Sequence, residues 1–154
     1  MIEQHYKDYD GFVVCHGTDT LAYTASTLSF MFENLRKTIV VTGSQIPISE
    51  LRSDAVDNML GSLMVAGPFM IPEVVVYFDN MILRGNRATK ESSNKIQAFN
   101  SPNFEPLAIF NVNLVVDWHR VMRYSTGPFK VFTDFDQNIS QIMISPFLNL
   151  NAIS

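Results

Sequence analysis

The feature that most constrains the fold is an alternation of short β-branched runs with longer helical patterns. Gly11–Cys15, Thr38–Thr42 and Glu73–Phe78 are apolar or β-branched runs, which are typical of strands buried on both faces. Leu21–Arg36 and Asp54–Ala66 carry apolar residues at helical spacing. This alternation predicts an α/β fold, with a mostly parallel sheet and helices on both faces.

Weaker patterns follow the third strand. Met81–Arg84 predicts a hairpin return, and Leu107–Phe110 with Asn113–Val116 predicts a second hairpin. Gln141–Ile144 has the composition of a final strand. The polar first eight residues are interpreted as the end of an amphipathic helix.

The pentapeptide His-Gly-Thr-Asp-Thr, residues 16–20, joins the first strand to the first helix. Such a loop places its hydroxyls and carboxylate beside the free N–H groups that begin the helix. Helix capping requires only one residue of this type, so we interpret the run as a candidate functional site. Ser44 follows the second strand, and ligands of such sheets bind where the strands have their carboxyl ends.

The residue types in these loops suit amide hydrolysis. That reaction needs a nucleophile, a group that moves its proton, a substrate anchor and donors for the oxyanion. Thr18, Asp19 and Lys90 would form part of such a set if the segment after Phe78 folds back over residues 16–20. The ordinary alternative is that Lys90 is a solvated surface lysine.

Composition disfavours several other functions. The net charge of −4 argues against nucleic acid or an anionic membrane as a partner. Three histidines and one cysteine have no metal-ligand spacing, and the single Cys15 fits a reducing compartment. No apolar run is long enough to span a bilayer and the first residues are too polar for a signal peptide. We therefore expect a cytoplasmic protein without a metal or cofactor.

Four further stretches accompany the pentapeptide. They are Val-Thr-Gly-Ser-Gln-Ile-Pro at 41–47, Leu-Arg-Ser-Asp at 51–54, Arg-Gly-Asn-Arg-Ala-Thr-Lys at 84–90 and Ser-Pro-Asn at 101–103. In this order the chain resembles the cytosolic, type I L-asparaginases of the asparaginase/glutaminase family, and most closely their eukaryotic branch. The resemblance runs in register from about Ile2 to Val116.

The resemblance implies the Rossmann-like N-terminal domain of that family over residues 1–124. Residues 125–154 would be a linker and the start of a second domain, so the chain is expected to be truncated at both ends. The implied reaction is hydrolysis of L-asparagine to L-aspartate and ammonia by threonine chemistry, with no cofactor. Family members are usually dimers or tetramers, so a homo-oligomer is expected.

The resemblance also assigns roles to individual residues. Thr18 corresponds to the family's second catalytic threonine, which activates water or relays a proton, and Lys90 completes the relay. Asp19 would hold the α-ammonium group of the substrate, with Gly17 and Ser44 also in the substrate site. His16 would be a structural turn residue.

One part of the family pattern is missing from the sequence. The nucleophilic threonine of the family lies in a Gly-Gly-Thr-Ile-Gly motif upstream of residues 16–20, and a serine that contacts the substrate carboxylate also lies upstream. Neither is found here, so we expect little hydrolysis by this chain alone. Two alternatives stay open: an inactive remnant that only binds or oligomerises, and an amidotransferase subunit that releases ammonia for tRNA-dependent amidation.

Two pairs of charged residues are explained better by structural roles than by catalysis or ligand binding. Asp54 and Asp57, at the start of the second helix, fit capping and the helix dipole better than a catalytic pair. Arg84 and Arg87 flank a Gly-Asn turn. Arginines in that position are expected to pair with backbone carbonyls or with an acid such as Asp54.

Overall fold

A computed structural model describes residues 1–146 of the chain. The helices of this part are α1 (Ile2–His5), α2 (Leu21–Met31) and α3 (Ala55–Ala66). Its strands are β1 (Gly11–Cys15), β2 (Phe32–Glu33), β3 (Thr38–Thr42), β4 (Val74–Phe78), β5 (Met81–Arg84), β6 (Thr89–Lys90), β7 (Phe99–Asn100), β8 (Ala108–Phe110), β9 (Leu114–Val116) and β10 (Lys130–Val131).

The main sheet has six strands in the order β1-β3-β4-β5-β8-β9. The pairings β1–β3 and β3–β4 are parallel, and the three pairings among β4, β5, β8 and β9 are antiparallel. The α/β class is therefore confirmed, and the sheet is mixed. Helices α2 and α3 connect the strands of the parallel half, because two successive strands can pair in parallel only through a crossover connection.

The two longer helices cover opposite faces of the sheet, as predicted. Ile39 and Val41 pack with α2 in one buried cluster. Val40, between them in the chain, packs with α3 in the other. Side chains of a strand point alternately to the two faces, so the fully buried β-branched run of β3 supplies both halves of the core.

The change from parallel to antiparallel occurs at a two-residue turn. Asp79 and Asn80 both have positive φ, 45° and 64°, the conformation that two-residue hairpin turns require. Asp and Asn tolerate it better than most residues. The turn sends β5 back beside β4, so the predicted Met81–Arg84 hairpin return is confirmed. The second predicted hairpin is also present, as β8 and β9.

The first long helix is shorter than predicted. The sequence pattern extends to Arg36, but α2 ends at Met31 and Phe32 is extended, with φ −99° and ψ 107°. Phe32–Glu33 pairs instead with Lys130–Val131, and Asn34 has a left-handed φ of 57°. A strand pairing almost one hundred residues away overrides the local helical pattern.

The predicted final strand at Gln141–Ile144 is wrong. These residues have no regular structure and are exposed. Met143 and Ile144 leave 83% and 87% of their surface in solvent. A short apolar run forms a strand only when a neighbouring strand accepts its hydrogen bonds, and here none of the described strands pairs with it.

A buried ion pair joins the sheet to the segment after β9. Arg84 Nε lies 2.5 Å from Glu73 Oε2, and the Glu73 side chain is 3% exposed. Arg84 Nη2 donates to the carbonyl of Arg120 at 2.6 Å, and the Met122 amide donates to Glu73 Oε1 at 2.6 Å. Arg84 thus pairs with Glu73 and not with Asp54, because β5 runs antiparallel to β4 and places Arg84 opposite Val75, near the amino end of β4.

Candidate active site

The His-Gly-Thr-Asp-Thr turn begins where β1 ends. The His16 amide donates to the Thr42 carbonyl at 2.7 Å, which continues the β1–β3 ladder into the turn. His16 Nδ1 lies 2.7 Å from the Gly17 carbonyl, and Nε2 lies 2.9 Å from Thr24 Oγ1. In the tautomer that satisfies both contacts, Nδ1–H donates and Nε2 accepts. Nδ1 therefore closes the turn on itself and Nε2 holds it to α2, in agreement with a structural His16.

The loop after β3 packs directly on this turn. A Cβ atom at Gly43 would lie 2.2 Å from the His16 carbonyl oxygen, so the close approach requires glycine. Gly17 and Ser44 consequently line one surface cavity of about 550 Å³. Thr42, Cys15 and the first turns of α3 form the rest of its wall.

Lys90 reaches the turn on a separate hairpin. The chain follows β5 back toward the amino end of β4 and returns through residues 85–88 to β6. Lys90 pairs with Phe99 of β7. Phe99 is 1% exposed, and its ring lies 4.8 Å from that of Phe78. The hairpin that carries the lysine is therefore anchored on the core at the end of β4.

The lysine ammonium group meets the turn at two oxygen atoms. Lys90 Nζ lies 2.8 Å from Thr18 Oγ1 and 2.7 Å from Asp19 Oδ1. The Lys90 side chain is 17% exposed, whereas that of Asp19 is 93% exposed. The structure thus brings Thr18, Asp19 and Lys90 into one polar cluster. Gly17 and Ser44 lie in the neighbouring cavity, joined to the cluster through the Gly17–Thr18 peptide.

The ammonium group also determines the charge state of Asp19. The hydrogen bond from Lys90, reinforced by its positive charge, lowers the pKa of the Asp19 carboxyl below its ordinary value of 3.8. Asp19 is therefore ionised at neutral pH. Only one of its oxygen atoms is used by Lys90, so an exposed, charged carboxylate faces the solvent next to Thr18.

Asp54 has a role that the sequence analysis missed. It stands at the start of α3 without a side-chain capping bond, so the capping interpretation is wrong. Its carboxylate instead accepts from the backbone amides of Gln45 and Ile46, both at 3.0 Å. Asp54 thereby fixes the loop that follows β3.

Asn58 was also missed. It is 2% exposed, and its Nδ2 donates to the Gly43 carbonyl and to Asp54 Oδ2, both at 3.0 Å. Its Oδ1 accepts from the Asp79 amide at 3.0 Å. One side chain therefore joins the loops after β3 and β4. The available signal was the polar spacing of Asp54, Asn58 and Ser62 along one face of a helix whose other residues are mostly apolar.

Residues 1–146 contain neither a metal-holding cluster nor a helix suited to a membrane. No group of three or more His, Cys, Asp or Glu residues is arranged to hold a metal ion in this range. None of its helices combines the length and apolar character that a membrane crossing requires.

Comparison with known proteins agrees on one family. The protein-family model of the asparaginase N-terminal domain matches residues 1–122 of the sequence. The chain is 45% identical over 153 residues to an L-asparaginase of Dirofilaria immitis, covering 99% of this chain and 26% of that protein. It is 58% identical over 106 residues to L-asparaginase 1 of Escherichia coli K12, covering 69% of this chain and 31% of that protein.

A solved structure extends the agreement to the fold. L-asparaginase I from Vibrio cholerae matches with a TM-score of 0.89 and 46% identity, over 99% of this chain and 46% of that one. The chain spans 26% to 46% of the length of these three relatives. Since the domain model covers most of the sequence and the fold agrees over nearly all of it, this chain belongs to the asparaginase family.

Proposed function

We propose that this chain forms the part of an L-asparaginase active site that relays protons and holds the substrate ammonium group. The reaction is hydrolysis of the side-chain amide of L-asparagine to L-aspartate and ammonia. The observation that carries the proposal is the placement of Lys90 Nζ within hydrogen-bond distance of both Thr18 Oγ1 and Asp19 Oδ1. The family relationship supports the choice of substrate.

In this proposal Thr18 and Lys90 act as a proton relay. The ammonium group donates to Thr18 Oγ1, which leaves the threonine hydroxyl hydrogen free to point away from the lysine. The hydroxyl can then pass its proton to the amide nitrogen of the substrate while it takes one from Lys90. The neutral lysine takes back a proton, through Thr18, from the hydroxyl group as that group attacks the carbonyl carbon, and the tetrahedral intermediate then expels ammonia. Such acid–base transfer typically accelerates a reaction by about 10²–10⁴-fold.

Asp19 is the substrate anchor in this scheme. Its ionised carboxylate is 93% exposed and keeps Oδ2 free of Lys90, so it can accept a charge-assisted hydrogen bond from the α-ammonium group of asparagine. Gly17 and Ser44 complete the substrate site from the neighbouring cavity. No metal or cofactor takes part.

The proposal extends to the whole protein. The attacking group is a threonine of the Gly-Gly-Thr-Ile-Gly type that this sequence does not contain. Residues 1–124 form the N-terminal domain, and residues 125–154 form the linker and the start of the next domain. The protein works in the cytoplasm as a homo-oligomer.

Binding tests the proposal independently of turnover. We expect L-asparagine, titrated into the ¹⁵N-labelled chain, to shift the amide resonances of residues 17–19 and 44 in a saturable way. Asp19→Asn should abolish these shifts because the anchor charge is lost. Asp10→Asn, an exposed carboxylate outside the site, is the control and should retain them.

Ammonia release provides the second measurement. Hydrolysis by the chain alone should be very slow, since removing a nucleophile from a hydrolase costs about 10⁶-fold in rate. Saturable shifts that are equal in Asp10→Asn and Asp19→Asn would contradict the anchoring role. A complete absence of shifts at these residues in the unmodified chain would contradict the proposed function.

A further inference from the structure

A side chain from another part of the fold donates hydrogen bonds to the loop that follows Lys90. Gln45 Nε2 donates to the Lys95 carbonyl at 3.0 Å and, at a longer 3.4 Å, to the Ser92 carbonyl. Gln45 belongs to the loop after β3. The contact therefore joins the loop beside the His-Gly-Thr-Asp-Thr turn to the loop of the β6–β7 hairpin.

Gln45 is itself firmly placed. Its backbone amide donates to Asp54 Oδ2, and the next amide, of Ile46, donates to Asp54 Oδ1, both at 3.0 Å. Asp54 is 7% exposed and also accepts from Asn58. The backbone under the Gln45 side chain is thus tied to the start of α3, and the amide group extends from a fixed base.

The tip of the hairpin gains from such support, because residues 93–97 are exposed and the hairpin lies outside the main sheet. Within residues 1–146, β6 and β7 pair only with each other, and two-residue strands give little independent stability. The Glu91 amide closes the loop by donating to the Ala98 carbonyl at 2.8 Å. Lys90 directly precedes this closure, so a movement of the loop changes where its ammonium group can reach.

We propose that Gln45 is a positioning residue, which fixes the β6–β7 loop so that Lys90 Nζ stays between Thr18 and Asp19. The positional part follows from the contacts above. Its importance for hydrolysis rests on the proposed function. The competing interpretation is that the Gln45 amide belongs to the substrate cavity and has no effect on Lys90.

Two substitutions of Gln45 separate these interpretations. Gln45→Glu preserves the size of the side chain but turns the donor into an acceptor that faces two carbonyl oxygens. Gln45→Leu removes the donor without adding charge. Gln97→Glu is the matched control, because Gln97 is exposed in the same loop and its Nε2 only approaches Met81 Sδ, at 3.7 Å.

The reactivity of individual lysines is the readout. The chain is labelled with limiting acetic anhydride, and each lysine is quantified by mass spectrometry. We expect Lys90 to react about five times faster in both Gln45 variants, the factor that corresponds to one net hydrogen bond of about 1 kcal/mol. Lys37, which donates to the carbonyls of Tyr6 and Tyr9, should be unchanged and reports that the fold is intact.

Unchanged Lys90 reactivity in Gln45→Leu, with Lys37 also unchanged, would overturn the proposal. If Gln45→Glu raises the reactivity of both Lys90 and Lys37, the glutamate has disturbed the whole fold, and the Gln45→Leu result decides. Addition of L-asparagine separates the two proposals. Faster acetylation of Lys90 in both variants, together with no asparagine binding by the unmodified chain, would support the positioning role and contradict the proposed function.

Discussion

Among single residues, Lys90 has the strongest influence on the charge of the site. Its ammonium group is largely shielded and donates to both Thr18 and Asp19. Asp19, by contrast, is almost fully exposed. The lysine therefore lowers the pKa of a carboxyl group that solvent would otherwise leave near its ordinary value.

Removing the lysine should reverse that shift. We expect Lys90→Met to raise the Asp19 pKa toward 3.8, because the hydrogen bond and the positive charge that lower it are both lost. The measurement is the ¹³C shift of the Asp19 carboxyl carbon during an acid titration. Lys130→Met is the control, since Lys130 pairs with Glu33, at 3.7 Å, far from Asp19 in the chain. Equal Asp19 midpoints in the two variants would contradict the prediction.

The sign of the associated stability change follows from the direction of the shift. A carboxyl group whose pKa is lower in the folded state stabilises that state above its ordinary pKa of 3.8. The contribution disappears as the pH falls through the lower, folded-state value. The part of the difference in melting temperature between the unmodified chain and Lys90→Met that comes from the Asp19–Lys90 pair should therefore be present at neutral pH and vanish in acid.

The approach of Lys90 to Thr18 and Asp19 could be anticipated from the sequence, whereas the role of Gln45 could not. The first depends on loops at strand ends, whose order is readable from alternating patterns and motifs. The second depends on a side-chain amide that meets carbonyl groups of residues 92 and 95. Such a contact is set by the path of two loops, and residue type does not specify that path.

At the scale of elements, α3 and the sheet are in close contact at Gly61. A Cβ atom there would lie 2.1 Å from Cζ and Oη of Tyr77. Tyr77 is 3% exposed, and its ring contacts Phe110 edge-on at 5.5 Å. The tyrosine therefore has little freedom to move aside.

This contact predicts an unusual result for a helix glycine. Alanine in a helix interior is ordinarily favoured over glycine by about 1 kcal/mol. Here the overpacking should outweigh that gain, and we expect Gly61→Ala to lower the free energy of unfolding by about 1–3 kcal/mol. Urea unfolding measures the effect. The same substitution made in a Tyr77→Leu background should cost much less, and an increase in stability for Gly61→Ala alone would contradict the packing argument.

The elements differ in how far sequence predicts them. β3 is a continuous β-branched run, and β4 is three valines followed by two aromatic residues. Runs of this kind, buried on both faces, are typical of strands between two helix layers. The end of α2 is different, because Phe32 and Glu33 have helical spacing but pair with β10. A local sequence pattern around residues 32–33 contains no information about a partner strand at residues 130–131. The same reasoning explains Gln141–Ile144, which has strand composition and no partner strand among the described residues.

At the scale of the molecule, the segment after residue 124 packs on residues near the start of the chain and after α2. The Phe129 ring stacks on Tyr6 with centroids 3.7 Å apart. Arg36 donates to the carbonyls of Ser125 and Gly127. These contacts tie α1 and β10 to the same side of the fold, and the division of the chain near residue 124 stays a prediction.

Two surfaces of the described chain are suited to association. β1 lies at one edge of the main sheet and, within residues 1–146, pairs only with β3. An edge strand with an open row of N–H and C=O groups invites pairing. The outer face of α3 adds an apolar stripe, in which Val56, Leu60, Leu63 and Met64 are each more than half exposed.

We therefore expect the 154-residue chain to self-associate and to unfold over a broad transition. Burial of the α3 stripe between copies would contribute about 25 cal/mol for each Å² removed from water. Leu60→Lys combined with Leu63→Lys should reduce association, because two charges would have to be buried with the stripe. Val112→Lys is the control, since Val112 is 99% exposed and lies outside the stripe. Sedimentation velocity and calorimetry measure the outcome. A monomer that melts in one sharp transition would show that the β1 edge and the stripe are stable in water, and would contradict this prediction.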